Sequence, residues 1–301
     1  MRRKVLLLVN GSAGQSAAMD RVYEMIEELT LQNCLVTAVP ILPADGVLSE
    51  DILRETDHDY FDVVACCGGD GTLHYVINGL LEEHYDVPVG YIPTGSANDF
   101  ARGIGISEEF HEQIDAIASG REFAYDIGRF NDRYFNYIAA FGAFTAISYS
   151  TDQDAKNAIG YGAYAIEAVL NLYENLNMSY HMKVELNGME IEDDFIFGSV
   201  SSSQSVGGLK TVVSNRAQYD DGLFEVMLIK KPKNIGDLQK ILAGLDPNAK
   251  GSPNVSVYQT DHVRFTSEEN IDWTLDGEFG GSVKEADITV KNRAIRILLP
   301  K

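Results

Sequence analysis

Two turns in the first third of the chain combine glycine with polar side chains, and each follows an apolar run typical of a buried strand. The first apolar run, 61–67, leads into Gly68-Gly69-Asp70-Gly71-Thr72, and apolar residues at helical spacing follow. Glycine residues expose their backbone amides, and at the start of a helix, where the helix dipole is positive, these amides bind phosphate. Because the Asp70 carboxylate repels phosphate unless a cation lies between them, this pairing indicates magnesium and a nucleotide.

The second turn follows the apolar run 87–93 and reads Thr94-Gly95-Ser96-Ala97-Asn98-Asp99. In an open parallel sheet, ligands bind at the carboxyl edge of the strands, so we expect the two turns to lie close together. Gly-Gly-Asp-Gly alone is more often an ordinary tight turn, but the pair of turns favours a phosphate site. The sequence contains no Walker A motif, and its nearest Gly-x-Gly-x-x-Gly match, 160–165, follows polar residues instead of a strand.

Apolar runs alternate with helical spacing through the first part of the chain, which predicts a parallel sheet with helices on both faces. Near Phe123 the pattern changes to paired strands with short turns, and Asn187-Gly188 is the strongest hairpin signal. We therefore predict an α/β domain over 1–125 and a mainly antiparallel β-sandwich domain over 126–290. The predicted strands are 5–9, 35–42, 63–67, 89–93, 124–130, 134–140, 183–186, 189–192, 224–229, 256–266 and 288–290, and the predicted helices of the second domain are 155–175 and 235–245.

The composition is that of a globular protein with a strong acidic excess. Lys and Arg number 24 against 45 Asp and Glu, which gives a net charge of −21. Because nucleic-acid backbones are bound by clustered cations, this charge argues against nucleic acid as a partner, and also against a simple electrostatic hold on anionic lipid. No apolar stretch reaches the length of a membrane span, and the three cysteines, two of them in a predicted core strand, indicate reduced thiols in a cytoplasmic protein.

Together the two turns resemble the catalytic domain of the diacylglycerol kinase family, which includes sphingosine kinases and is distantly related to NAD kinases and phosphofructokinases. Three further segments match the family in the right order, so the resemblance covers essentially the whole chain. These segments are Asn10-Gly11-Ser12-Ala13-Gly14, Asp220-Asp221-Gly222 and Leu275-Asp276-Gly277-Glu278. The chain departs from the residues usual in the family at Gly11, Ala13, His74, Tyr75 and Ser202. None of these departures removes a carboxylate.

The resemblance implies a Rossmann-like, NAD kinase-like first domain that the segment 291–301 rejoins, and a cleft between the domains that holds the chemistry. It implies ATP and Mg²⁺ as cofactors. The family motifs assign nucleotide contacts to Asn10, Ser12, Gly68, Gly69, Asp70, Gly71, Thr72, Thr94, Gly95, Ser96, Asn98 and Glu278. They assign acidic metal positions to Asp70, Asp99, Asp126, Asp220 and Asp221. For Asp220 and Asp221, a structural Mg²⁺ site competes with a β-turn that carries solvated carboxylates.

The resemblance further implies a lipid kinase that phosphorylates a lipid hydroxyl, with diacylglycerol as the default acceptor. For the general base the family motif supplies Asp276, and a rival assignment, taken from sphingosine kinases, makes Asp70 the base. The sequence does not identify the acceptor, and it does not determine whether the protein forms a homodimer. An NAD kinase-related enzyme or another small-alcohol kinase is the second hypothesis, and a nucleotide-binding regulator without catalytic activity is the third.

The expected partner is a lipid substrate at the membrane surface, reached by transient peripheral contact of a cytoplasmic protein. The one compact basic cluster, Lys230-Lys231-Pro232-Lys233, is a candidate for this contact. A solvated strand end explains the same cluster equally well. No nucleic acid is expected.

Overall fold

The structure is a computed structural model, and it describes residues 1–11, 21–142, 179–203, 217–245 and 251–301. The helix predicted over 155–175 lies outside these residues. The chain divides into two compact units. Unit 1 comprises Met1–Ile127 with Asn292–Lys301, and unit 2 comprises Gly128–Lys291.

The helices and strands of the described residues are numbered in chain order. The helices are α1 Val22–Leu31, α2 Ser49–Glu55, α3 Asp70–Glu82, α4 Asp99–Ile104, α5 Phe110–Ser119 and α6 Ile235–Leu245. The strands are β1 Arg3–Asn10, β2 Cys34–Ile41, β3 Val63–Gly68, β4 Val89–Pro93, β5 Arg121–Phe130, β6 Arg133–Phe135, β7 Ile138–Gly142, β8 Tyr180–Leu186, β9 Met189–Ser201, β10 Phe224–Lys230, β11 Val255–Thr260, β12 His262–Leu275 and β13 Glu278–Leu299. Both β5 and β13 contribute residues to each unit.

Unit 1 is built on a parallel sheet in the order β2-β1-β3-β4. Every residue of β3 is buried, as expected for a parallel strand covered on both faces. On one face, Met25 of α1 and Ile117 of α5 pack with Leu7 in a single apolar cluster. The last strand, β13, joins this sheet through a parallel pair between Ile297 and Val89. The predicted parallel pairing of the early strands is confirmed.

Unit 2 is mainly antiparallel. Its strand order is β11-β10-β9-β7-β12-β13, and β8 pairs with both β9 and β12. Aromatic side chains fill its core, and the ring centroids of Phe141 and Trp273 lie 4.9 Å apart. Alternate residues of paired strands point to one face, so aromatic rings from six strands meet in a common core. The other large aromatic members of this cluster are Phe130, Phe135, Phe195, Phe224 and Phe265.

The turns of unit 2 agree with the sequence in one case and differ in another. The β8–β9 hairpin turns at Asn187-Gly188, where φ is 51° and 72°. A type I′ hairpin turn has this backbone, and Leu186 pairs with Met189 across it, so the predicted hairpin is confirmed. The prediction of a single strand over 256–266 was wrong, because β11 ends at Thr260 and β12 begins at His262. Between them the Thr260 hydroxyl donates to His262 O at 2.7 Å and accepts from His262 N at 3.2 Å, which closes a turn. Across the described residues, no helix is both long enough and apolar enough to cross a membrane.

Candidate functional site

Three strands of unit 1 end close together, and the residues that follow them include most of the predicted nucleotide contacts. β1 ends at Asn10, whose side-chain amide donates to the Thr72 hydroxyl at 2.8 Å. β3 ends at Gly68, whose carbonyl accepts from the Thr94 amide, just after β4, at 2.9 Å. The parallel sheet thus brings these turns to one edge, with Gly71 in the first turn of α3. The predicted contact Ser12 lies outside the described residues.

Gly69 and Gly95 let the two turns touch backbone to backbone. A Cβ atom on Gly95 would lie 2.6 Å from Gly69 Cα and 2.9 Å from Asn98 Oδ1, and a Cβ atom on Gly69 would lie 3.2 Å from Gly95 Cα. Alanine at position 95 therefore needs a shift of the backbone. Asn98 holds the second turn through a 2.8 Å hydrogen bond from its Nδ2 atom to Gly95 O, while Ser96 is exposed.

Asp70 is the first residue of α3, and its carboxylate links the two turns. Its Oδ2 atom accepts from the Asp99 amide at 3.0 Å, and its Oδ1 atom accepts from the Phe100 amide at 3.4 Å. Both amides belong to the start of α4. Because these contacts fix the direction of the carboxylate, they suit a metal ligand, whose oxygen must keep its orientation.

Two buried polar atoms at this edge lack a hydrogen-bond partner in the described part of the chain. Within the described residues, neither the Asn98 Oδ1 atom nor the Tyr91 hydroxyl has a hydrogen-bond partner. Burial, and after it the charge of Asp70, raises the pKa of the Tyr91 phenol well above its ordinary value, so the hydroxyl stays protonated. An unpaired buried polar atom costs about 1–3 kcal/mol. An amide oxygen and a carboxylate beside a glycine cradle that a Cβ would fill fit phosphate and Mg²⁺.

In unit 2, the Asp-Gly of the late family motif forms the turn between β12 and β13. Asp276 and Gly277 have φ of 53° and 89°. Positive φ at both central residues is what a type I′ two-residue hairpin turn requires, and Asp-Gly is a favoured sequence for it. The turn places Leu275 opposite Glu278. Asp276 is only 4% exposed, whereas Glu278 is half-buried.

The Asp276 carboxylate accepts hydrogen bonds from three consecutive residues that lead into β7. Its Oδ2 atom accepts from the backbone and side-chain amides of Asn136 at 2.6 and 3.2 Å. Its Oδ1 atom accepts from the backbone amides of Tyr137 and Ile138 at 3.0 and 3.2 Å. The Asp276 amide in turn donates to the Ile138 carbonyl at 2.8 Å. The hairpin turn is therefore fixed to the segment 136–138.

Asp126 is fully buried and connects β5 to β13 within unit 1. Its Oδ1 atom accepts from the Arg293 amide at 2.7 Å and from Asn292 Nδ2 at 3.0 Å. Arg293 has a positive φ of 50°, a conformation that costs free energy for a residue with a side chain. The buried carboxylate stabilises this conformation by accepting the amide hydrogen of Arg293.

The remaining acidic positions of the motif, Asp220 and Asp221, precede β10 in unit 2. The Oδ1 atom of Asp221 accepts from the Leu223 amide at 3.0 Å, a local contact typical of an aspartate in a turn. Over the ranges that the structure describes, no three His, Cys, Asp or Glu side chains gather as a metal site. A structural Mg²⁺ at Asp220 and Asp221 stays a prediction.

Two polar residues next to these sites carry no signal in the sequence. Tyr91 stands inside an apolar run that reads only as a buried strand, and Asn136 stands between aromatic residues outside every motif. The structure connects Asn136 to Asp276, which lies 140 residues later in the chain. A contact over that separation has no local pattern to reveal it.

Two family models match the chain. The diacylglycerol kinase catalytic domain matches residues 4–130, and the YegS C-terminal NAD kinase beta sandwich-like domain matches residues 141–299. They define a two-domain phosphotransferase that acts on an alcohol, with a β-sandwich as its second domain. A crystal structure of a diacylglycerol kinase from Bacillus anthracis str. Sterne shares this fold, with a TM-score of 0.74 at 18% identity over 99% of this chain and 97% of that chain.

Sequence relatives carry the same family name. The chain is 28% identical to a diacylglycerol kinase from Staphylococcus carnosus (strain TM300), over 100% of this chain and 96% of the relative. It is 31% identical to a diacylglycerol kinase from Staphylococcus aureus (strain Newman), over 75% of this chain and 71% of the relative. The chain belongs to the diacylglycerol kinase family and is a kinase.

Proposed function

We propose that the chain transfers the γ-phosphoryl group of ATP to the hydroxyl of a lipid alcohol, with diacylglycerol as the default acceptor. The proposal rests on the close contact between the backbones of Gly69 and Gly95, which forms a cradle without side chains beside the Asp70 carboxylate. The relatives named diacylglycerol kinase support this acceptor. The parallel sheet supports the location of the cradle, because such sheets bind ligands at the carboxyl ends of their strands.

The residues of the cradle fit Mg·ATP by their chemistry. The amides at the start of α3 and the hydroxyls of Thr72 and Thr94 would bind phosphate oxygens, with Asn10 orienting Thr72 through their 2.8 Å contact. Asp70 and the Asn98 oxygen would hold the ion. Bound Mg²⁺ supplies positive charge that offsets the charge developing on the transferred phosphoryl group.

We also propose a transient contact with a membrane surface through Lys231 and Lys233. Lys230 contributes less, because its Nζ atom lies 2.7 Å from Asp193 Oδ2 and the two charges offset each other. Neither Lys231 nor Lys233 has an ion pair within the described residues, and Ile235 at the start of α6 is 71% exposed. Two cations beside an exposed apolar side chain suit the surface of an anionic bilayer.

A panel assay tests the proposed reaction. Purified protein is supplied with ATP and Mg²⁺, and separately with diacylglycerol, a sphingoid base, monoacylglycerol, a polyprenol or NAD. We expect phosphoryl transfer to a lipid alcohol, with diacylglycerol the best acceptor, and none to NAD. Transfer to NAD alone would favour the NAD kinase-related hypothesis. Nucleotide binding without transfer to any acceptor would favour the inactive regulator.

The Asp70→Asn variant tests the metal role independently of the acceptor. We expect Mg·ADP binding, measured by calorimetry, to weaken by at least about tenfold, because an amide is a poorer ligand for Mg²⁺ than a carboxylate. Asp59→Asn is the matched control, since Asp59 is exposed in the segment before β3, at the opposite end of that strand from Asp70. Equal affinity of the parent, Asp70→Asn and Asp59→Asn would remove Asp70 from the metal site.

A further inference from the structure

We propose that Tyr91 is a positioning residue of the Mg²⁺ site, whose hydroxyl holds an internal water molecule that donates a hydrogen bond to the Asp70 carboxylate. Because Asp70 is the proposed ligand of Mg²⁺, this role rests on the proposed function. Both residues belong to unit 1. Three observations on Tyr91 carry the role: the direction of its side chain, the depth of its burial and the hydrogen bonding of its hydroxyl.

The Tyr91 side chain points to the face of the parallel sheet opposite to α5. Tyr91 stands on β4 and pairs in register with Cys66 of β3. Its neighbour Ile92 packs in one apolar cluster with Ile117 of α5, and successive side chains of a strand point to opposite faces. Burial, and after it the negative charge of Asp70, raises the pKa of the Tyr91 phenol. The Tyr91 hydroxyl therefore keeps its proton and lies within electrostatic range of the Asp70 carboxylate.

The Tyr91 hydroxyl is buried without a hydrogen-bond partner in the described part of the chain, and the residue is only 2% exposed. Such an arrangement is unfavourable. A second buried tyrosine of unit 1 shows the ordinary one, because the Tyr85 hydroxyl donates to the carbonyl oxygens of Leu53 and Thr56 at 2.9 and 3.0 Å. Buried polar atoms that lack a protein partner commonly bind internal water. Water is therefore the partner that we expect for the Tyr91 hydroxyl.

A water molecule between the phenol and the carboxylate would connect Tyr91 to the metal ligand. The Tyr91 hydroxyl donates to the water oxygen, and the water donates to a carboxylate oxygen of Asp70, which gives the water two polar partners. The contact from the Phe100 amide to Asp70 Oδ1 is 3.4 Å, longer than the ordinary range of about 2.7–3.2 Å, so a further donor would help to fix this oxygen. Loss of a donor behind a metal ligand commonly weakens metal binding about 10–100-fold.

Tyr91→Phe removes the hydroxyl and keeps the ring. We expect its dissociation constant for Mg·ADP, measured by calorimetry, to rise about tenfold or more, while its affinity for ADP in EDTA stays within about twofold of the parent. Its melting temperature should stay within about 2 °C of the parent, because no protein hydrogen bond is lost within the described residues.

Tyr85→Phe serves as the control for the same chemical change. Tyr85 follows the carboxyl-terminal end of α3, whereas the cradle lies at the start of that helix. The variant leaves two carbonyl oxygens without their donor, so its melting temperature should fall by about 3 °C or more. Its affinity for Mg·ADP should equal that of the parent. The two variants are thus expected to change opposite quantities.

A double-mutant cycle with Asp70→Asn shows whether Tyr91 acts through Asp70. In the Asp70→Asn background, Tyr91→Phe should weaken Mg·ADP binding by less than about twofold, because no carboxylate remains to be oriented. The same loss in both backgrounds would mean that Tyr91 acts independently of Asp70, and would overturn the positioning role.

A high-resolution crystal structure of the parent gives a readout without nucleotide. We expect a water molecule within about 3.2 Å of both the Tyr91 hydroxyl and an Asp70 carboxylate oxygen, and no water there in Tyr91→Phe. A parent without this water, or a Tyr91→Phe variant that binds Mg·ADP normally while Asp70→Asn does not, would overturn the role of Tyr91 alone. If the parent binds ADP equally well with Mg²⁺ and with EDTA, the proposed metal site fails and the role of Tyr91 fails with it.

Discussion

Replacing Gly95 by alanine would force apart the two turns of the phosphate cradle. The added Cβ would lie 2.6 Å from Gly69 Cα, whereas carbon atoms in contact are about 3.5–4.0 Å apart. The turns must therefore separate by about 1 Å, since the atom met is backbone and cannot rotate away. Relieving such an overlap in a packed region costs about 1–3 kcal/mol.

The shift should appear in both stability and binding. We expect urea denaturation to give a free energy of unfolding about 1–3 kcal/mol below that of the parent. A separation of the turns also moves amides away from phosphate, so we expect Mg·ADP affinity by calorimetry to fall about 10–100-fold, equivalent to about 1.4–2.8 kcal/mol. Gly69→Ala should have a smaller effect. Its Cβ would lie 3.2 Å from Gly95 Cα, so the neighbouring backbone has to shift by only a few tenths of an ångström.

Gly236→Ala is the matched control for the same chemical change. Its Cβ would meet only the Asn234 side-chain oxygen, at 3.0 Å, and the residue lies in α6 of unit 2. Alanine favours a helix over glycine, so its stability should be unchanged or higher by up to about 1 kcal/mol, with Mg·ADP affinity unchanged. The reasoning is refuted if Gly95→Ala binds Mg·ADP as tightly as Gly236→Ala and unfolds at the same urea concentration as the parent.

Three further measurements address the buried thiol and the basic cluster. Burial raises the pKa of the Cys67 thiol from 9.0 to about 12, so native protein at about pH 8 should react with iodoacetamide on the order of 10³-fold more slowly at Cys67 than unfolded protein does. The folded thiol keeps its proton to higher pH than the unfolded one, so its contribution to stability is complete below pH 9 and is lost between pH 9 and about 12. A urea midpoint that does not fall over this range contradicts the raised pKa of Cys67. Replacing Lys231 and Lys233 by Glu should weaken sedimentation with anionic vesicles at least about tenfold, since each surface lysine contributes about 1 kcal/mol. The same change at the exposed Lys284 and Lys291 is the control, and equal loss in both pairs would remove the cluster from the contact.

Features set by neighbouring residues could be predicted from the sequence. The apolar strand before Gly68 and the glycine turn after it form a strand, a turn and a helix, as their order indicates. The Asn187-Gly188 hairpin follows in the same way, because its positive φ values depend on the two residues of the turn. The meeting of the turns at 69 and 95 also follows from order along the chain, since adjacent parallel strands end at one edge.

Contacts between distant segments could not be predicted. Asp126 accepts from residues that lie 166 and 167 positions later in the chain, and no spacing rule connects them. The Arg293 amide makes this contact from a left-handed backbone, a conformation that the residue type of Arg293 does not favour. The break between β11 and β12 occurs where the Thr260 hydroxyl bonds to His262. The spacing of apolar residues gives no information about such a side-chain contact.

Asp276 and Glu278 show how the same limit applies to chemistry. They stand two residues apart in one motif, and their residue types alone suit either of them to accept a proton. The fold distinguishes them because the segment 136–138 brings four donors to Asp276, from 138 to 140 residues away, and brings none to Glu278 within the described part of the chain. Accepting the four donors makes a carboxylate a structural clamp, since its lone pairs are no longer available to a substrate. A motif can therefore name two candidate acids, while only the tertiary contacts show that one of them, Asp276, holds a distant segment in place.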